Sequence, residues 1–259
     1  MVMIDHTDRE RGGRAVTFDE LKAVKTPPPQ GGRHRPVPHI DVWNTLARTL
    51  KRRGIGYEKP DIVLTHNRKA RDGVTYADTA MFGTMKVHIN GQGPGMDRML
   101  GFRSSNIQVF AIGMVAGAKI TVCTNLIFSG DTVVLKKKHT TNLNLRDSIS
   151  IGVDQLHDAY GDFDDLIGML QTRKITDTQA RLTIYGLVEE QVIPARVLRP
   201  VHETYFDPKR EWTDTTPRTA WVLYNAVTRV LRKEPLPRKM NMTQATTDYL
   251  NRELLRSTG

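Results

Sequence analysis

Apolar residues recur at helical spacing in some stretches and alternate in others, and the switches between the two periods divide the chain. Trp43, Leu46, Ala47 and Leu50 share one helical face, with Asp41 placed as a cap and Gly54 as the stop. The remaining face carries Arg48, Lys51, Arg52 and Arg53. Asp61–Thr65 and Tyr76–Ile89 then read as strands, the second bearing Phe82, Met85, Val87 and Ile89. Asn90-Gly91-Gln92-Gly93-Pro94-Gly95 is turn chemistry; Pro94 interrupts it and no Lys-Ser/Thr pair follows, so it is no phosphate-cradling loop. Gly101–Asn106 leads into the apolar segment Ile107–Gly117. Ile120–Phe128 reads as a strand, Ser129-Gly130-Asp131 as a hairpin turn, and Thr132–Thr140 as the returning strand. That strand begins with Val133 and Leu135 on one face and ends in Lys136-Lys137-Lys138-His139.

The helical period returns with Ile149, Val153, Leu156, Tyr160 and Phe163, continuing through Leu170. Thr176 or Asp177 caps a helix through Ala180, Leu182, Ile184 and Leu187. Pro194 and Pro200 mark a loop, and Thr219 opens a helix over Ala220–Lys233. Pro235 and Pro237 break it, and Met242–Leu255 is a tail helix. No repeat of solenoid length is present. The predicted fold class is α+β, an antiparallel sheet with a β-hairpin packed against several helices. Residues 1–38 read as a flexible basic arm, because Arg9, Arg11 and Arg14 precede Pro27-Pro28-Pro29 and Gln30-Gly31-Gly32-Arg33-His34-Arg35-Pro36. Residues 39–259 read as a single domain.

Charge narrows the partner. Lysine and arginine number 38 against 28 acids, a net charge of +10 and a pI near 9.8 in 259 residues, which suits a polyanion. Arg103, Lys136, Lys137, Lys138 and His139, with Arg52 and Arg53, are the candidate phosphate contacts, and within the arm Arg33-His34-Arg35 is the better contact candidate; Trp43, Tyr57, Tyr76 and Phe82 are candidates for stacking on bases. Cys123 is the one cysteine, which excludes an intramolecular disulfide and cysteine-based zinc sites. It reads as a core strand residue in a chain of the reducing cytoplasm. No apolar run reaches the roughly eighteen residues of a membrane span, and the first residues lack the pattern of a secretory signal.

Catalytic chemistry has weaker support. Asp154, Asp158 and Asp165 stand at i, i+4 and i+11 with His157 among them, an oxygen set that a Mg²⁺-dependent nuclease would need. His66, His88, His139 and His202 lack zinc-ligand spacing. Ser104 and Ser105 are potential nucleophiles without an elbow motif around them. The reading is therefore a non-enzymatic protein without cofactor, with the nuclease as the minor alternative.

Four pieces of the chain, within residues 76–232, resemble a family of uncharacterised phage- and plasmid-borne proteins, found also in cryptic prophages of enteric bacteria. They are Arg103-Ser104-Ser105, Val122 through Gly130, Lys138-His139-Thr140, and Trp221 through Thr228. Where the family has histidine, aspartate and lysine after the arginine–serine piece, this chain has Asn106-Ile107-Gln108. The resemblance implies a mobile-element setting inside a bacterial host. The expected function is nucleic-acid binding, on DNA, in single-strand binding or annealing during replication or recombination, with self-association as a further expectation. The alternative is an interaction protein that docks on a host factor, such as a component of a defence system.

Overall fold

Strand alternation sorts this chain into two sheet faces, and each face recruits its own helices. The computed structural model describes residues 13–89, 96–120, 126–207 and 218–255. Its main sheet is antiparallel and runs in the order β1 (Gly13–Ala15), β3 (Asp61–Thr65), β6 (Ala80–His88), β7 (Met96–Ser105), β8 (Ile112–Ile120), β9 (Leu126–Lys137). β2 (Gly56–Tyr57) pairs with the far end of β6, and β4 (Arg68–Lys69) and β5 (Thr75–Tyr76) form a separate small hairpin.

One face carries Leu64, Met81, Met85, Leu100, Phe102 and Met114 and is covered by α1 (Phe18–Ala23), α2 (His39–Arg52) and α3 (Leu145–Asp154). α2 docks through Val42, Trp43, Leu46 and Leu50, and Gly54, at φ +69°, turns the chain away after it. The Trp43 ring stacks on Phe102 at 5.9 Å and on Phe18 at 5.3 Å. Phe102 in turn lies over Gly83, its cross-strand partner; a Cβ there would stand 2.1 Å from the ring. The opposite face presents Val63, Phe82 and Val115, and α8 (Leu236–Leu250) lies on it through Leu236 and Met240.

A second core forms among α4 (Leu156–Thr172), α5 (Asp177–Glu189), α6 (Leu198–Phe206), α7 (Ala220–Leu231) and α8. α4 serves both cores, giving Leu156 and Tyr160 to the sheet and Phe163, Ile167 and Leu170 to the helices. Arg98 of β7 ties the two together. It is buried, pairs with Asp164 of α4, and lies 5.1 Å from the Tyr160 ring centroid, while the Tyr160 hydroxyl donates to the Met99 carbonyl at 2.8 Å. Among the described residues no helix is long and apolar enough to cross a membrane.

The α+β class and the antiparallel sheet with its hairpin agree with the sequence reading. Several local expectations do not. Residues 13–38 are no flexible arm: Gly13–Ala15 pair with β3, Thr17 and Glu20 form a capping box, Leu21 enters the sheet core, and His34 bridges Thr140. Elements this short leave no period to read between the prolines and glycines; residues 1–12 lie outside the described residues. Ser129-Gly130-Asp131 is not a turn but sits inside β9. Between the pairs Val115↔Val133 and Gly117↔Phe128 the register breaks, so turn-forming residues here make a bulge. The true connection of that hairpin, like Cys123 and the glycine-rich 90–95, falls outside the described residues. Pro200 sits in the first turn of α6 and Pro237 in that of α8, where a missing amide costs no helical bond.

Two glycines test this packing. Gly83→Ala should lower stability by about 1–3 kcal/mol, because the Phe102 ring under Trp43 must move. Gly168→Ala, in α4 with nothing within 4 Å of the added methyl, should raise it by about 0.5–1 kcal/mol. Urea melts of both variants give the two signs, and a neutral Gly83→Ala would refute the packing account.

Candidate nucleic-acid interface

β9 ends in cations, and alternation separates them. Lys136 pairs with Gly113, which pairs with Arg103, which pairs with Phe82. This row belongs to the α8 side of the sheet. Lys137 pairs with Ile112, a core residue of the opposite side. The three lysines are all exposed, yet they do not form one strip. Lys136 and Lys138 work together, and Lys137 points away from them.

Because Gly113 has no side chain, Arg103 lies across it; a Cβ there would meet the Arg103 Nε at 3.3 Å. The guanidinium reaches Asn241 of α8 at 3.4 Å and stands 5.2 Å from the Phe110 ring centroid. Partial burial lowers its pKa from the ordinary arginine value, a cost that an anion alongside would relieve.

The segment before α2 closes the site. Arg35 N–H donates to the His139 carbonyl at 3.1 Å and Thr141 N–H to the Arg33 carbonyl at 2.9 Å. This seam buries His34 and His139, at 2% and 4% exposure. It also fixes their tautomers. Val37 N–H donates to His139 Nδ1 at 3.0 Å and Gln30 N–H to His34 Nδ1 at 2.9 Å, so in both neutral rings the proton sits on Nε2. His139 Nε2–H therefore donates to Ser104 Oγ at 3.2 Å. A histidine that gives its proton to a serine is no base for it, and Ser104 and Ser105 are both fully buried. The pair is a structural contact.

Three adjoining hollows, of about 780, 100 and 460 Å³, share Arg103 as a common wall. The first opens between β3 and the start of α8 and includes Arg238. The last is walled by Arg33, His34, Phe110, Lys136, Lys138 and Thr140. Among the described residues Asp78 is the only carboxylate in their linings, and Arg14 holds it at 2.7 Å. Among the described residues Arg33, Arg103, Lys136, Lys138 and Arg238 have no carboxylate within ion-pair distance. The hollows thus form a continuous cationic path with an aromatic ring beside it.

The sequence-derived set is corrected in several places. His139 is no phosphate contact: burial, with repulsion from His34 and His39, pushes its imidazole down to about 4, and both nitrogens have partners. Arg53 pairs with Asp154 at 2.6 Å and Arg52 donates to Thr49 Oγ1 at 3.3 Å, on the helix that covers the other sheet face. Trp43 and Phe82 are buried in cores and offer no base a platform. Phe110 was missed, and Arg33 was expected only as a contact carried on a flexible arm. Phe110 stands in a turn with no period, and Arg33 reaches the site only through the distant His34–Thr140 bridge.

The acidic stretch is not one helix face. α3 ends at Asp154 and α4 begins at Leu156, which breaks the i, i+4, i+11 relation; Asp154 is held by Arg53 and Asp164 by Arg98. Among the described residues no three His, Cys, Asp or Glu side chains come together to hold a metal ion. Comparison with family models, curated proteins and solved structures gives no match.

The seam carries a pH dependence. His39, whose Nε2–H donates to the Asp78 carbonyl at 3.1 Å, is also pushed down to about 4, by burial against the pull of that carbonyl. Both folded values lie below the ordinary 6.5, so the folded state favours the neutral rings. Their contribution is complete above pH about 6.5 and is lost as pH falls towards 4. Each histidine should cost about 2 kcal/mol at pH 5. Urea unfolding at pH 7 and 5 measures the loss, and His139→Gln should reduce its slope. Equal stability at the two pH values would contradict the buried neutral seam.

Proposed function

We propose that this chain is a nucleic-acid-binding protein whose cationic path, from Arg238 through Arg103 to Lys136 and Lys138, takes the backbone of a DNA strand. The observation that carries it is the path itself: cations from three parts of the chain converge on one sheet face without carboxylate partners. Elsewhere Arg53, Arg98, Arg196 and Arg218 are each paired with an acid. Unpaired, converging cations repel one another, and a polyanion removes that repulsion while releasing its own counterions. Phe110 supplies an aromatic edge for a neighbouring base. The mobile-element setting implied by the family resemblance, a phage or plasmid protein acting on single strands in replication or recombination, belongs to this proposal.

A second reading, docking on a host protein, draws on Leu182 and Tyr185. They stand three residues apart on α5 at 65% and 59% exposure. Nucleic-acid binding uses a built surface, whereas this pair is small, so the first reading is preferred.

Binding of labelled single- and double-stranded oligonucleotides across a salt series tests it. Wild type should show a log–log slope of about −0.7 per phosphate contact on single strands. Arg103→Ala with Lys136→Ala should flatten it by about 1.4 and weaken every sequence alike, since phosphate contacts position without specifying. Lys137→Ala should change little. Affinity no tighter than about 10⁻⁴ M at physiological salt would end the proposal, and capture of a host protein that survives nuclease would favour the second reading.

A further inference from the structure

The 460 Å³ hollow differs from the rest of the path in how it is enclosed. Arg33 and His34 form one wall, the 108–111 turn with Phe110 a second, and Lys136 with Lys138, His139 and Thr140 a third. Its volume falls within the range of about 300–1,000 Å³ that suits one small ligand, so it has room for one nucleotide rather than a run of them. Among the described residues four cations line it, Arg33, Arg103, Lys136 and Lys138, and no carboxylate does.

One neutral donor adds to them. His34 carries its proton on Nε2, since Nδ1 accepts from Gln30 N–H, and that Nε2 is buried without a hydrogen-bond partner among the described residues. A buried donor left unpaired is costly, and it adds a neutral polar group to this wall beneath the cations. Arg33 is held at the rim by its own backbone, whose carbonyl accepts from Thr141 N–H. The site is therefore partly preorganised before anything binds.

Charge decides which phosphate fits. An internal phosphodiester carries one negative charge, but a phosphomonoester carries about −1.5 to −2 at neutral pH and offers three terminal oxygens. Four cations that lack a carboxylate partner among the described residues, in a nucleotide-sized hollow, match the second. We propose that this hollow is a site for a phosphomonoester dianion, supplied by the phosphorylated end of a nucleic-acid strand or by a free nucleotide. The strand-end form rests on the nucleic-acid reading above.

The test uses full-length protein and four probes: one oligonucleotide sequence with a 5′-phosphate, a 3′-phosphate or hydroxyls at both ends, and a nucleoside 5′-monophosphate. A phosphorylated end should bind at least about tenfold tighter than the hydroxyl-ended strand. Arg33→Ala and Lys138→Ala, both at exposed positions, should lose that preference while keeping the wild-type circular dichroism spectrum. Equal affinity of all three strands overturns the phosphomonoester site and leaves the path intact. So does a preference that both variants retain. Binding of the mononucleotide alone, abolished by Arg33→Ala, supports the site and overturns the strand path. Binding of no probe overturns both.

Discussion

The seam between residues 33–37 and the end of β9 is the constraint on which the cationic face depends. Its backbone bonds bring Arg33 beside Lys138, bury His34 and His139, and set which nitrogen of each ring carries the proton. Without it Arg33 would lie on an unpinned connection between α1 and α2, and the hollow at Phe110 would lose a wall. Burial also accounts for the uncharged state of these histidines, because desolvation penalises the imidazolium more than nearby carbonyls favour it. The cations of the site are therefore arginines and lysines alone, whose charge does not change over physiological pH.

Local signals were legible in the sequence and distant ones were not. Thr176 and Thr219 cap α5 and α7 where their positions before an apolar run indicate, and β3 spans Asp61–Thr65 around the apolar run Ile62-Val63-Leu64 that marks it. Such signals need only a few neighbouring residues. The fate of the lysine run needed the register of β9 against β8, which turns Lys137 from Lys136, and no count along one strand reveals a partner. Ser129-Gly130-Asp131 failed for a related reason: residues that favour a turn also suit a bulge, and only pairing tells them apart. The two prolines at 235 and 237 were read as breakers when they open the next helix.

The electrostatics follow from the same sorting. Arginines on the helical side and at the sheet edge mostly meet acids, as Arg98 meets Asp164 and Arg196 meets Glu234. On the α8 face of the sheet, glycine and apolar partners surround the charges instead. Gly113 matters here, because the space left by its missing side chain lets Arg103 lie across the strand between Phe82 and Lys136. A surface charge gains little from pairing in water, but one lying in a hollow is desolvated and more sensitive to what fills it.

The position of α8 has a consequence in time. Its Leu236 and Met240 cover the sheet face, and its Asn241 touches Arg103, although the strands they meet were synthesised far earlier. A ribosome that has completed the whole sheet has still not made the helix that floors the path. The emerging chain thus carries its cations on an unfinished, partly apolar surface until the last helix docks. The order of synthesis therefore leaves the hollows around Arg103 without their α8 wall until every strand of the sheet has been made.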